Sequence, residues 1–124
     1  MIKFKELKPE VDVFLAEEDT YKYQVLYTEK IGKCNSGIAI VSATDKENCF
    51  FNHFEIWLFK TNKLVTRIQC NSYLDLNREF MKLTSRNILS LDWLVDYVLE
   101  NVDNLNEILK QTKEYYRTNM KIYF

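Results

Sequence analysis

Between Tyr21 and Cys70 the apolar residues fall into four short runs, joined by links too short to carry a crossover. A parallel neighbour needs a connection of a dozen or more residues, so these runs can pair only antiparallel. Tyr21, Tyr23, Val25 and Tyr27 alternate with other residues at the period of a half-buried strand, and this spacing puts the three tyrosines on one face. The segment IGKCNSG supplies turn chemistry before Ile38-Ala39-Ile40-Val41, and Thr44 to Asn48 is a polar turn. The aromatic-rich run CFFNHFEIWLFK follows, marked by Phe50, Phe54, Ile56 and Leu58. Thr61-Asn62-Lys63 then connects it tightly to a run from Leu64 to Cys70. Four strands so linked make a meander.

The period changes after Cys70. Ser72 with Asp75 three residues on resembles a capping box, and Tyr73, Leu76, Phe80 and Leu83 keep helical spacing as far as a stop at Asn87. Ser90 can cap a second helix, whose apolar stripe runs Leu91, Leu94, Val95, Val98, Leu99, Val102, Leu105, Ile108 and Leu109. Asn and Asp favour caps over helix interiors, so the stretch Asn101 to Asn106 is where this helix can break. Near the N-terminus, Pro9 suits a first helical turn with Val11, Phe14 and Leu15 on one face, while Val11, Val13 and Leu15 equally fit a strand. An amphipathic sheet followed by amphipathic helices is expected to form an α+β fold. Specifically, a four-stranded antiparallel meander packs against C-terminal amphipathic helices as a two-layer sandwich. Residues 1–124 are expected to form one domain, at an ordinary domain length.

Composition narrows the function classes. The net charge of −1 creates no field that would draw in nucleic acid, so direct nucleic-acid binding is not expected. Two glycines are too few for a phosphate-cradling loop. No run reaches the ~20 apolar residues of a membrane span, and the N-terminal MIKFKELKPEVD lacks the apolar core of a secretory signal. The expected address is the cytoplasm, with no membrane partner. Three cysteines without a CxxC motif read as free thiols rather than a disulfide framework.

Two constellations could carry chemistry. His53 and Glu55 lie two apart on a strand and share a face, an arrangement able to supply a general base and acid for metal-independent RNA cleavage. Against this, a sole histidine on a sheet is commonly a satisfied structural group. Cys34, Cys49, His53 and Cys70 offer the ligand types of a Cys₃His zinc site, with Cys49 and His53 read onto one strand face. They lack the close cysteine pair such sites are built on. No Ser-His-Asp or Cys-His triad can be assembled, so no catalytic residue, metal or cofactor is expected.

A third feature points to a partner. Asp92, Asp96, Glu100, Asp103 and Glu107 are spaced 4, 4, 3 and 4 residues apart, and no Lys or Arg lies between the first and the last. On a helix they occupy an arc of roughly 80° opposite the apolar stripe. Like charges at that spacing cost an isolated helix a few tenths of a kcal/mol per pair. The strip reads either as a solvated helix face or as a negative surface for a basic partner. A surplus of aromatics, with eight Tyr and eight Phe, offers a second interface around Tyr21, Tyr23 and Tyr27.

The segment Gly37 to Leu109 resembles the immunity proteins of contact-dependent growth inhibition and related polymorphic-toxin systems. The resemblance lies in GIAIVSA, the aromatic strand FFNHFEIWLFKTNKLV and the later SLDWLVDYVLENVDNL. It is one of texture and element order and assigns no individual residue. It implies a non-enzymatic cytoplasmic protein that binds and neutralises one cognate toxin domain, often a nuclease with a basic surface. The near-zero net charge departs from the more acidic balance of many nuclease inhibitors. Eleven Asn and thirteen Lys are the skew of an AT-rich gene, which also suits a phage-encoded inhibitor of a host defence nuclease. The alternative of another class is the small RNA-processing enzyme built on His53 and Glu55.

Overall fold

Short links make hairpins, and in the computed structural model the strands lie side by side in chain order. The structure describes residues 2–8, 12–13, 15, 20–88, 91 and 94. Among them are five strands: β1 (Asp12–Val13), β2 (Tyr21–Lys30), β3 (Gly37–Asp45), β4 (Phe51–Lys60) and β5 (Lys63–Cys70). All neighbouring pairs are antiparallel, in the order β1-β2-β3-β4-β5. The expected meander is β2 to β5. The four-strand expectation falls one short, because Asp12 and Val13 pair with Gln24 and Tyr23. That settles the strand alternative for Val13, while Pro9, Val11 and Phe14 lie outside the described residues.

The chain divides into two compact units between Asn71 and Ser72. In the first, one sheet face carries Tyr23, Val25, Ala39, Val41, Ala43, Trp57 and Phe59, and Phe4, Leu7 and Val13 complete its core. One 3-10 turn, Phe4–Glu6, brings Phe4 over this face, where its ring lies 5.5 Å from that of Phe59. Gly37 makes the approach feasible, since a Cβ there would run into the Phe4 ring and the Glu29 carbonyl. The opposite face carries Ile38, Ile40, Phe54, Ile56 and Cys70, all buried.

Three bulges decide which side chains share a face, because one extra residue moves everything beyond it to the other side. The register shifts at Leu26 in β2, at Asn52 in β4 and at Val65 in β5. The first corrects the tyrosine reading. Tyr21 and Tyr23 stand opposite Asp45 and Ala43, but after the bulge Tyr27 stands opposite Ile40 and so faces the other way.

The second unit contains the one helix among the described residues, α1 (Tyr73–Thr84). Ser72 caps it, its hydroxyl accepting from the Asp75 N–H at 3.1 Å, as the sequence leads one to expect. The helix ends at Ser85, in the left-handed region at φ 59°, two residues before the expected stop. Asn77 is buried in the helix and its Oδ1 accepts the Ile88 N–H at 2.8 Å, tying the following segment back to it. The second expected helix, with the Asn101 to Asn106 stretch, lies outside the described residues apart from Leu91 and the buried Leu94.

Candidate functional site

Period-two spacing puts His53, Glu55 and Trp57 of β4 on the core face of the sheet, and the bulge at Val65 brings Arg67 of β5 to the same face opposite Trp57. Tyr23 of β2 lies on that face too, two strands away from β4. These five side chains form one polar network centred on Glu55. The His53 Nε2 donates to Glu55 Oε2 at 2.8 Å, and the Trp57 Nε1–H donates to Oε1 at 3.1 Å. Arg67 donates twice, from Nε to Oε1 at 2.8 Å and from Nη2 to Oε2 at 3.1 Å. The same Nη2 donates to the Tyr23 hydroxyl at 2.8 Å, and the guanidinium stands 5.4 Å from the centre of the Tyr23 ring.

Aromatic edges close the network. The Tyr21 ring stands perpendicular to His53 at 5.0 Å, and Tyr23 meets Trp57 edge-on at 5.3 Å. The other ring nitrogen of His53, Nδ1, lies 2.7 Å from Asn52 Oδ1. His53 and Glu55 are 2% and 3% exposed, whereas 42% of the Arg67 side chain reaches solvent at the sheet edge.

The electrostatics follow from these contacts. Burial pushes the Glu55 carboxyl up, but the hydrogen bonds from Arg67, His53 and Trp57 and the charge of Arg67 together outweigh it. The result lies below the ordinary carboxylate value of 4.5. Burial likewise works against the Arg67 charge, and its bonds to Glu55 with smaller help from Tyr23 overcome it, raising Arg67 above its ordinary value. Glu55 is therefore an ionised carboxylate with two donors on each oxygen.

That saturation limits what the pair His53 and Glu55 can do. A carboxylate offers about four lone-pair positions, and four donors fill them here. A general base must hold a lone pair free for the proton it takes. To act, Glu55 would have to give up one of these donors, and it is 3% exposed. The arrangement instead holds β4, β5 and β2 to one another through polar side chains.

The other sequence candidates fare differently. The four zinc-ligand residues are not brought together. Cys34 and Cys49 are exposed in turns with positive φ, and Cys49 precedes β4, so it does not share a strand face with His53. Cys70 is buried opposite Phe54 and lies on the other face from His53. No group of three potential metal ligands occurs among the described residues. Of the tyrosines proposed as an interface, Tyr23 is buried in the Glu55 network and Tyr27 faces away. Asp92, Asp96, Glu100, Asp103 and Glu107 all lie outside the described residues. No described helix is long and apolar enough to cross a membrane. Sequence reasoning did not join Trp57, Arg67 or Tyr23 to the His53 and Glu55 pair; only Trp57, two residues beyond Glu55 on one strand, could have been added from spacing.

Comparison with known proteins adds no relative: no family model, no curated protein and no solved structure matches this chain.

Proposed function

We propose that this protein works by binding a protein partner rather than by catalysis, as an immunity-type inhibitor that neutralises one cognate toxin domain. The observation that carries the reading is the saturated carboxylate of Glu55. The sole histidine and the acid beside it are spent on holding the sheet together. The RNA-processing alternative needs those two groups to meet a substrate, and their burial works against it. The narrower assignment, to a toxin nuclease with a basic surface, draws on the resemblance of the Gly37 to Leu109 segment and on the strip Asp92, Asp96, Glu100, Asp103 and Glu107. An inhibitor of a host defence nuclease would use the same acidic strip, and gene context separates the two.

The test is to look for a toxin domain encoded beside this gene and to co-express the two. The expected result is protection of growth and a stable one-to-one complex. Protection should survive His53→Ala and fall when Asp96 and Glu100 are both changed to Lys, because charge complementarity mainly raises the association rate. A folded His53→Ala protein that no longer protects would return the catalytic reading.

A further inference from the structure

Three segments meet at one end of the sheet, and all of them carry lysine. They are the Lys3–Glu6 turn, the loop between β2 and β3, and the hairpin between β4 and β5. Their contacts are direct: the Lys5 N–H donates to Asn62 Oδ1 at 3.2 Å, the Asn62 N–H to the Asn35 carbonyl at 3.0 Å, and the Thr61 N–H to Ser36 Oγ at 3.0 Å. Lys3, Lys5, Lys30, Lys33, Lys60 and Lys63 are all exposed there, with Glu6 and Glu29 the acids of the same segments. No ion pair among the described residues engages any of these six lysines.

Two details run against a purely structural surface. Lys60 and Lys63 stand directly opposite each other in the hairpin, and like charges so placed weaken a strand pair. The loops are also held in a costly shape: Cys34, Asn35, Thr61 and Asn62 all have positive φ, which for β-branched Thr61 is strained. Loops tied to one another by hydrogen bonds and bearing six lysines against two glutamates have less ordering left to do when a ligand arrives.

We infer that this lysine-bearing end of the sheet is a docking surface for an acidic protein segment that carries an apolar side chain. Charge complementarity sets the sign of the partner. Ile31 sets its class: it is 47% exposed between Lys30 and Lys33, an apolar anchor inside a charged rim. A nucleic acid would instead be met by exposed aromatics for base stacking and by forked arginines on phosphate. None of the three segments contains an exposed aromatic or an arginine. The inference does not rest on the immunity reading, because the surface lies in the first unit and calls for a partner of opposite charge to the one the acidic strip suits.

The test uses the full chain and three labelled probes of equal charge: a Glu/Leu peptide, a Glu/Gly peptide and a single-stranded oligonucleotide. The Glu/Leu peptide should bind most tightly, and more weakly as salt rises. Lys63→Glu should cut that affinity about tenfold while raising the melting temperature, because it turns a repulsive cross-strand pair into an attractive one. Ile31→Ser should remove the preference for Leu over Gly, with folding checked by melting. Lys33→Glu, outside the hairpin, should weaken binding as well. Unchanged affinity in the lysine variants, no preference for the Glu/Leu peptide, or tighter binding of the oligonucleotide would each overturn the inference.

Discussion

Arg67 stands opposite Trp57 in the strand register, yet its guanidinium forks onto Glu55, at 2.8 and 3.1 Å. The fork depends on one residue of β5 being left out of the ladder. Across the hairpin, Lys60 faces Lys63 and Phe59 faces Leu64, but Leu58 faces Thr66, so Val65 is the extra residue of a bulge. In a regular ladder Arg67 would face Ile56 and leave the face that carries Glu55.

Inserting one residue between Thr66 and Arg67 should therefore move Arg67 opposite Ile56 and separate it from Glu55 without changing either residue, whereas deleting Val65 leaves Arg67 opposite Trp57. The insertion is expected to lower stability at least as far as Arg67→Ala does, and adding Arg67→Ala to the insertion should then cost little more. Urea unfolding of the two single variants and the double variant measures this coupling. Fully additive losses would mean that the register of Arg67 does not set the pair.

Acid should reveal the carboxylate. The folded-state value of Glu55 lies below the unfolded one, so between the two the unfolded chain binds more protons and stability rises with pH. The contribution is complete above the ordinary value of 4.5 and is lost as pH falls through the lower folded value. Denaturant midpoints taken from neutral pH down into that acid range should fall more steeply for wild type than for Glu55→Gln. Parallel curves would remove Glu55 as the cause.

Gly37 should tolerate no side chain. A methyl group there meets both the Phe4 ring and the Glu29 carbonyl, and overpacking of this kind costs about 1–3 kcal/mol. Gly37→Ala should lose that much in urea unfolding, and less in a Phe4→Ala background, where the ring no longer competes for the space. An equal loss in both backgrounds would place the clash on the backbone alone.

Much of the first unit was legible from residue spacing, and the failures come from a strand too short to show a period and from bulges that break it. Alternation and short links announced β2 to β5, and the Ser72 cap announced the start of α1. β1 was obscured because two residues carry no period of their own. Tyr27 was misplaced because alternation continues by twos through a bulge that the ladder does not. The pairing of His53 with Glu55 could be read from one strand. The partners that define its role could not, since Arg67 and Tyr23 join it only through a register shift and the order of strands across the sheet.

Whether Glu55 serves structure or chemistry can be decided by equilibrium unfolding of Glu55→Gln. Residues kept for catalysis often cost stability, and their replacement tends to stabilise the protein. Glu55→Gln would turn an amide toward the donors His53 Nε2 or Arg67 Nη2 and leave a buried group unpaired. Losing one partner of a buried ion pair costs about 3–5 kcal/mol, less here because Arg67 is partly solvated. The expected result is a cooperative transition with a loss of about 2–4 kcal/mol. A Glu55→Gln protein as stable as wild type, or more stable, would contradict the structural role and make His53 and Glu55 candidates for catalysis again.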